Sequence, residues 1–246
     1  MTDMKILKRK KVKIALISSF SLVLALVIAC FIYIGNYYRA DEASINTFSP
    51  AAEELTVDGD LVFKPENVNF GLIFYPGGKV DEQAYIPLMR EISSHGVLCI
   101  LIKMPFNLAV FDINAADGIR ELYPEIENWY IGGHSLGGSM AAAYLENEAE
   151  DFQGLVLLGS YSTANLSKTN LRVLSIFGEY DGVMNREKYK ASLANMPSDF
   201  TETVIVGGCH AYFGTYGEQK GDGVASITNE EQIKTTAETF ALWLER

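Results

Sequence analysis

The stretch Trp129-Tyr130-Ile131-Gly132-Gly133-His134-Ser135-Leu136-Gly137-Gly138-Ser139-Met140-Ala141-Ala142-Ala143 leaves this chain few ways to fold. An apolar strand passes straight into an alanine-rich helix, and the turn between them is a G-x-S-x-G pentapeptide. In so sharp a turn the serine takes a strained backbone conformation. Glycines flank it because side chains there would collide with the neighbouring strand and helix. The helix start then aims backbone N–H groups at any oxyanion that forms beside Ser135. By itself the pentapeptide is also compatible with a plain glycine-rich turn that packs a helix against a sheet.

The surrounding texture repeats the same unit. Short apolar runs recur at 70–75, 97–102, 129–131, 155–158, 173–177 and 203–206, continuous rather than alternating, as in strands buried on both faces. Helix-like segments lie between or after them at 82–94, 115–122, 136–147, 186–195 and 230–244, the last with Thr228 and Glu231, or Asn229 and Gln232, available as a capping box. Asp58-Gly59 between two short strand-like runs predicts a hairpin. This alternation predicts an α/β fold, a mostly parallel central sheet with helices on both faces and ligands at the C-terminal ends of the strands.

A serine is a poor nucleophile without a base in reach, and the sequence holds three histidines. His134 adjoins the serine in a turn that aims its side chain elsewhere, and His95 precedes a strand, at the wrong end of the sheet. His210, in the glycine-rich loop Gly207-Gly208-Cys209-His210 after the strand at 203–206, remains. An imidazole base needs a carboxylate to fix its tautomer. Asp181, in Gly178-Glu179-Tyr180-Asp181-Gly182 after the strand at 173–177, is chosen over Glu179, and the order Ser135, Asp181, His210 suits this architecture. For the oxyanion, Gly77 and Gly78 end the strand at 70–75, with Gly78 favoured as donor together with the N–H of Leu136. Phe106, Tyr161 and Tyr212, with Phe213 and Tyr216, are the expected walls of a substrate groove, although aromatics there serve equally well as packing. Only residues 159–170 separate two strands where a lid would be inserted, so the groove is expected to be open.

Four motifs, FYPGG at 74–78, GHSLGG at 133–138, YDG at 180–182 and GGCHAYFG at 207–214, stand in the order found in α/β-hydrolases. Over about residues 68–246 the chain resembles that superfamily, in particular its small lidless branch similar to dienelactone hydrolases. The resemblance implies a Ser-His-Asp triad at Ser135, His210 and Asp181 and acyl transfer to water through an acyl-enzyme. Dienelactone hydrolases use a cysteine nucleophile where this chain has serine, which favours esters over lactones. The same triad would also serve an acyltransferase, thioesterase or peptidase, and a non-catalytic binding domain is the reading from a different class.

The N-terminus is an address. From Ile14 to Ile34 run 21 residues without a charge, enough at about 1.5 Å per residue to span a hydrocarbon core of ~30 Å. Six basic residues precede it, Lys5, Lys8, Arg9, Lys10, Lys11 and Lys13, and should stay in the cytoplasm, leaving the body outside as a single-pass cell-membrane protein. Cleavage before Cys30 as a lipoprotein, or simple secretion, would place the body on the same side. The expected domains are a basic tail at 1–13, the anchor at 14–34, a linker at 35–52 and the hydrolase body at 53–246. The first 34 residues carry +5 of a total of −11, so the remainder is −16 and repels phosphate backbones, which argues against nucleic acid as a partner. Three cysteines make no disulfide scaffold, and no metal cluster or phosphate loop is visible, so neither metal nor cofactor is expected; the partner is a small-molecule ester.

Overall fold

The computed structural model describes residues 2–246, with side chains at Lys13 and from Leu16 onward, so those of Lys5, Lys8, Arg9, Lys10 and Lys11 lie outside the described residues. The chain forms two units that meet in sequence at residues 37 and 38. The first is the helix α1 (Thr2–Gly35). Its segment Leu16–Gly35 is, among the described residues, the one helix long and apolar enough to cross a membrane.

The second unit is built on eight strands: β1 (Glu53–Val57), β2 (Asp60–Lys64), β3 (Phe70–Tyr75), β4 (Val97–Leu101), β5 (Trp129–His134), β6 (Gly154–Leu158), β7 (Arg172–Gly178) and β8 (Asp199–Ile205). They form one sheet in the order β1-β2-β4-β3-β5-β6-β7-β8. The pairs β1–β2 and β2–β4 are antiparallel and all others parallel. The expected α/β fold is therefore present. The β1–β2 turn has Asp58 and Gly59 both at positive φ, 53° and 103°, the geometry a tight two-residue hairpin requires.

Alternate residues of the central strands feed two cores. Leu72, Phe74, Cys99 and Leu101 face one side with Leu88, Phe240 and Trp243, which belong to α3 (Ile86–Ser94) and α6 (Asn229–Leu244). Ile73, Tyr75, Leu98 and Ile100 face the other with Ala141, Ala142 and Leu145 of α4 (Leu136–Glu148); the short α5 (Arg186–Ser192) lies between β7 and β8. Strands covered on both faces need no polar alternation, which explains their continuous apolar runs. Of the two capping boxes available to α6, the chain uses Thr228 with Glu231.

Two expectations fail. Residues 115–122 form turns with one short 3-10 segment (Arg120–Leu122) instead of an α-helix. The buried hydroxyl of Tyr75 donates to Ile113 O and accepts from Ala116 N, taking backbone groups that a helix would have used, and Gly118 has a φ of 74°. The stretch expected as a linker is also structured from Tyr38 onward. Tyr38 N donates to Lys79 O at 2.8 Å, Asp81 N donates to Tyr38 O at 2.9 Å, and Asp41 N donates to Thr215 O at 2.7 Å. The short helix α2 (Glu42–Ile45) follows, capped by Asp41, and Ile45 and Phe48 are buried. Arg90 of α3 pins this segment, with a two-point ion pair to Glu54 at 2.8 and 3.0 Å and a bond to Ile45 O at 3.0 Å.

Replacing Arg90 with Ala removes that fork and leaves the Ile45 carbonyl only its longer bond from Phe48 N at 3.4 Å, at a cost of about 1–3 kcal/mol. The expected result is a lower urea midpoint together with protease cleavage within residues 38–54, read by mass spectrometry of the fragments.

Candidate active site

Ser135 lies between β5 and α4 with φ 52° and ψ −119°, a conformation costing on the order of 1–3 kcal/mol for a residue with a Cβ. Tight packing holds it. Ser135 N donates to Leu158 O at 2.9 Å, and Ser160 Oγ donates to Ser135 O at 2.6 Å. A Cβ at Gly133 would lie 2.5 Å from Tyr75 O, and one at Gly137 would run into the carbonyl oxygens of Tyr75 and Pro76. These glycines are thus required by the closeness of β3 to the turn.

Asp181 follows β7 and His210 follows β8, both at the C-terminal edge of the sheet. His210 is wholly buried and Asp181 nearly so, with Nδ1 and Oδ2 2.8 Å apart. The other carboxylate oxygen accepts from Val183 N at 3.0 Å and Met184 N at 2.8 Å. An ionised carboxylate only accepts, so Nδ1 donates its proton to it, and in the neutral ring Nε2 then keeps its lone pair. Among the described residues Nε2 is buried and has no hydrogen-bond partner; Ser135 Oγ is not bonded to it in this conformation. Nucleophile–base bonds are often long in the absence of substrate. The ring of His210 nonetheless lies 4.4 Å, centroid to centroid, from that of His134, the residue before Ser135.

Three residues that the sequence reading did not single out organise this cluster. Gly159, next to the Leu158 that holds Ser135, has a φ of 51°, and a Cβ there would lie 2.9 Å from His210 Nδ1 and 3.1 Å from Asp181 Oδ2. A glycine ending an apolar strand was the only signal. Asp222 joins the two loops: it accepts from Gly182 N at 3.1 Å, His210 N at 3.1 Å, Gly223 N at 2.9 Å and Ala211 N at 2.8 Å. Burial opposes its charge, but these N–H groups outweigh burial and hold its carboxyl below the usual range. Tyr85 is fully buried and bridges the loop after β3 to the elbow: its hydroxyl accepts from Gly77 N at 3.0 Å and contacts His134 Nδ1 at 2.7 Å. The hydroxyl's own proton then points to Nδ1, leaving the His134 proton on Nε2. Phe213 and Tyr216, expected as groove walls, are buried and pack around His134.

The Gly77 N–H is therefore committed to Tyr85. The N–H groups of Gly78 and Leu136 have no partner among the described residues, and Gly78 lies against the Leu136 side chain, which a Cβ would meet at 2.8 Å. Phe106 is exposed, with a φ of 56°, on a loop joined to this one by Lys79 N donating to Asn107 O at 2.7 Å. Tyr161 is half-buried against Phe177, Met184 and Tyr189. Tyr212 is half-buried against the core that includes α3 and α6, and it lines a small cavity of about 110 Å³ with Cys209 and Asp222. Burial and the nearby Asp222 carboxylate push the Cys209 thiol up to about 12, unlike a poised thiolate. No group of three potential metal ligands occurs among the described residues.

Residues 71–234 match the profile of a family described as "Alpha/beta hydrolase family". Among solved structures, a predicted CIB-like hydrolase from Thermoplasma acidophilum aligns with a TM-score of 0.53 and 16% identity over 77% of this chain and 97% of its own. TT1662 from Thermus thermophilus aligns with a TM-score of 0.56 and 14% identity over 79% and 98%. At such identity the likeness is one of fold. No curated protein matches the sequence.

Burial, and next the proximity of His210, push the His134 imidazole well below its ordinary value of 6.5. The unfolded chain takes up this proton near 6.5 while the folded chain does not, so the stability His134 contributes is complete above that pH and is lost as the pH falls below it. The urea midpoint should drop between about pH 6.5 and 5, with a slope of up to about 1.4 kcal/mol per pH unit from this group. In His134→Gln that slope should shrink, as measured by urea titrations across the range.

Proposed function

Because the chain belongs to the alpha/beta hydrolase family, we propose that it is a serine hydrolase of carboxylic esters, held at the membrane by α1 with its body outside the cytoplasm. The observation that carries this reading is the buried His210–Asp181 pair at 2.8 Å, whose Nε2 has no partner among the described residues and whose ring lies 4.4 Å, centroid to centroid, from that of His134, the residue before Ser135. A buried imidazole nitrogen left without a partner costs about 1–3 kcal/mol, and a hydroxyl delivered by the elbow relieves that cost.

In the proposed reaction Ser135 Oγ attacks the ester carbonyl carbon while its proton passes to His210 Nε2. The electron pair of the carbonyl moves onto oxygen, where the N–H groups of Gly78 and Leu136 receive it; each such donor is worth about 2.7–4 kcal/mol at the transition state. Collapse of the tetrahedral adduct breaks the bond to the alkoxy oxygen, and the alcohol leaves with the proton from Nε2. Water then gives its proton to the same nitrogen and attacks the acyl-enzyme, releasing the carboxylic acid and restoring Ser135. Asp181 keeps its charge throughout, orienting the ring and stabilising the transient imidazolium. Positioned proton transfer of this kind contributes about 10²–10⁴-fold. The membrane placement is supported by the apolar length of Leu16–Gly35 and by the basic residues before it.

Intact cells treated with a membrane-impermeant fluorophosphonate should label the wild-type protein and leave Ser135→Ala unlabelled. Labelling that needs cell lysis would refute the outward placement, and equal labelling of the variant would refute Ser135 as nucleophile. Asp181→Asn should lower kcat on a soluble ester by roughly 10⁴-fold, the scale expected when the carboxylate that fixes the tautomer becomes an amide.

A further inference from the structure

The tether is stitched to the rim of the candidate site. Gly35 ends α1 and Tyr38 opens the body, so only Asn36 and Tyr37 intervene. Three residues of fully extended chain reach at most about 11 Å. Tyr38 is therefore confined near the membrane surface whatever the orientation of the body. The partners of Tyr38 belong to the catalytic rim. Lys79 O and Asp81 N hold its backbone, one and three residues beyond Gly78, and its hydroxyl accepts from Lys220 N at 3.3 Å. Three residues later Asp41 N reaches Thr215 O at 2.7 Å, in the loop that follows His210. The first residues of the body after the helix, Tyr38 and Asp41, thus pair with the loop after β3 and with the loop after His210.

Beside that attachment lies an exposed apolar surface. Lys79, whose carbonyl holds Tyr38, donates its N–H to Asn107 O. The loop it grips carries Phe106, Val110 and Phe111, exposed by 54%, 50% and 58%. Phe106 and Phe111 pack edge to face with centroids 5.7 Å apart, and Leu108 of the same loop lies over Gly78, 3.6 Å from where a Cβ would sit. Three large apolar side chains clustered on one loop expose more than solvent alone favours, and such clusters mark contact with a partner. Two of the three are aromatic. Phe is at home on the apolar face of segments that lie in a membrane interface. The covalent reach of Tyr38 supplies the bilayer at short range.

Resting on the hydrolase reading above, we propose that the 105–111 loop docks on the lipid surface and that the substrate is an amphiphilic ester presented by the bilayer, its chain in the lipid and its ester bond at headgroup level. The reaction remains the one written above, ester plus water giving acid plus alcohol. What docking adds is delivery: the scissile carbonyl reaches Gly78 and Ser135 without leaving the interface. No lid is required, because the membrane itself covers the open groove.

The full-length chain in phosphatidylcholine vesicles tests this in two ways. Phe111→Trp adds an indole at the patch, while Trp129 and Trp243, both buried, give a constant background. Brominated phosphatidylcholine should quench the added indole. In a second arm the double variant Val110→Asp, Phe111→Asp should lose about tenfold or more in turnover of 4-methylumbelliferyl oleate dissolved in the vesicles, the scale of one aromatic withdrawn from an apolar environment. Its turnover of water-soluble 4-methylumbelliferyl acetate should stay at the wild-type rate. Absence of quenching, or an equal fall on both esters, overturns the docking. A signal from the added indole that follows protein concentration instead of bromine content assigns the patch to a second copy and overturns it as well. Failure of the hydrolase reading is separately visible, as a wild-type chain that hydrolyses neither ester and takes no fluorophosphonate, while the quenching arm still reports on the loop.

Discussion

The arrangement of the site depends on a carboxylate and an imidazole held together out of water. Neither Asp181 nor His210 would be buried alone, since removing a charge or an unpaired polar group from solvent is costly. Together they satisfy each other at 2.8 Å, and two backbone N–H groups complete the carboxylate. Burial of the pair demands a space with no side chain in the way. Gly159 provides it, and the same β6 terminus fixes Ser135 through Leu158. The His210–Asp181 pair and Ser135 therefore share one support, and the strain at Ser135 is sustained by contacts already needed to close the sheet.

Around this centre, polar groups without catalytic parts set the positions of those proposed to have them. Asp222 gathers N–H groups from the loops of Asp181 and His210, so the two loops move as one. Tyr85 couples the loop after β3 to His134, the residue before Ser135. Because its hydroxyl takes the Gly77 N–H, the next N–H along, that of Gly78, is the one left without a partner among the described residues. An aromatic shell of Phe213, Tyr216 and Tyr85 packs around His134, and its burial favours the neutral imidazole beside His210.

The path from the N-terminal helix into the body is equally local. Tyr38 pairs with Val80, and the chain then runs past the histidine loop to the Arg90 fork. A segment with no apolar periodicity can still be ordered when its backbone finds partners on a preformed surface, as residues 38–52 do. The missing helix at 115–122 is the mirror case: local propensity favoured a helix, but Tyr75, distant in sequence, offered its backbone groups a different partner.

The sequence by itself determined the strands, the elbow and the order of Ser135, Asp181 and His210, because each is written in contiguous residues: an apolar run, a glycine-flanked serine, a polar residue after a strand. It determined in the same way the apolar length of the N-terminal helix. Only the tertiary structure decided which glycine N–H stays free, why Gly159 and Asp222 matter, and where the chain leaving that helix attaches. Those outcomes are contacts between segments tens of residues or more apart, and a backbone donor's partner across such a gap is fixed by packing, which no local pattern records.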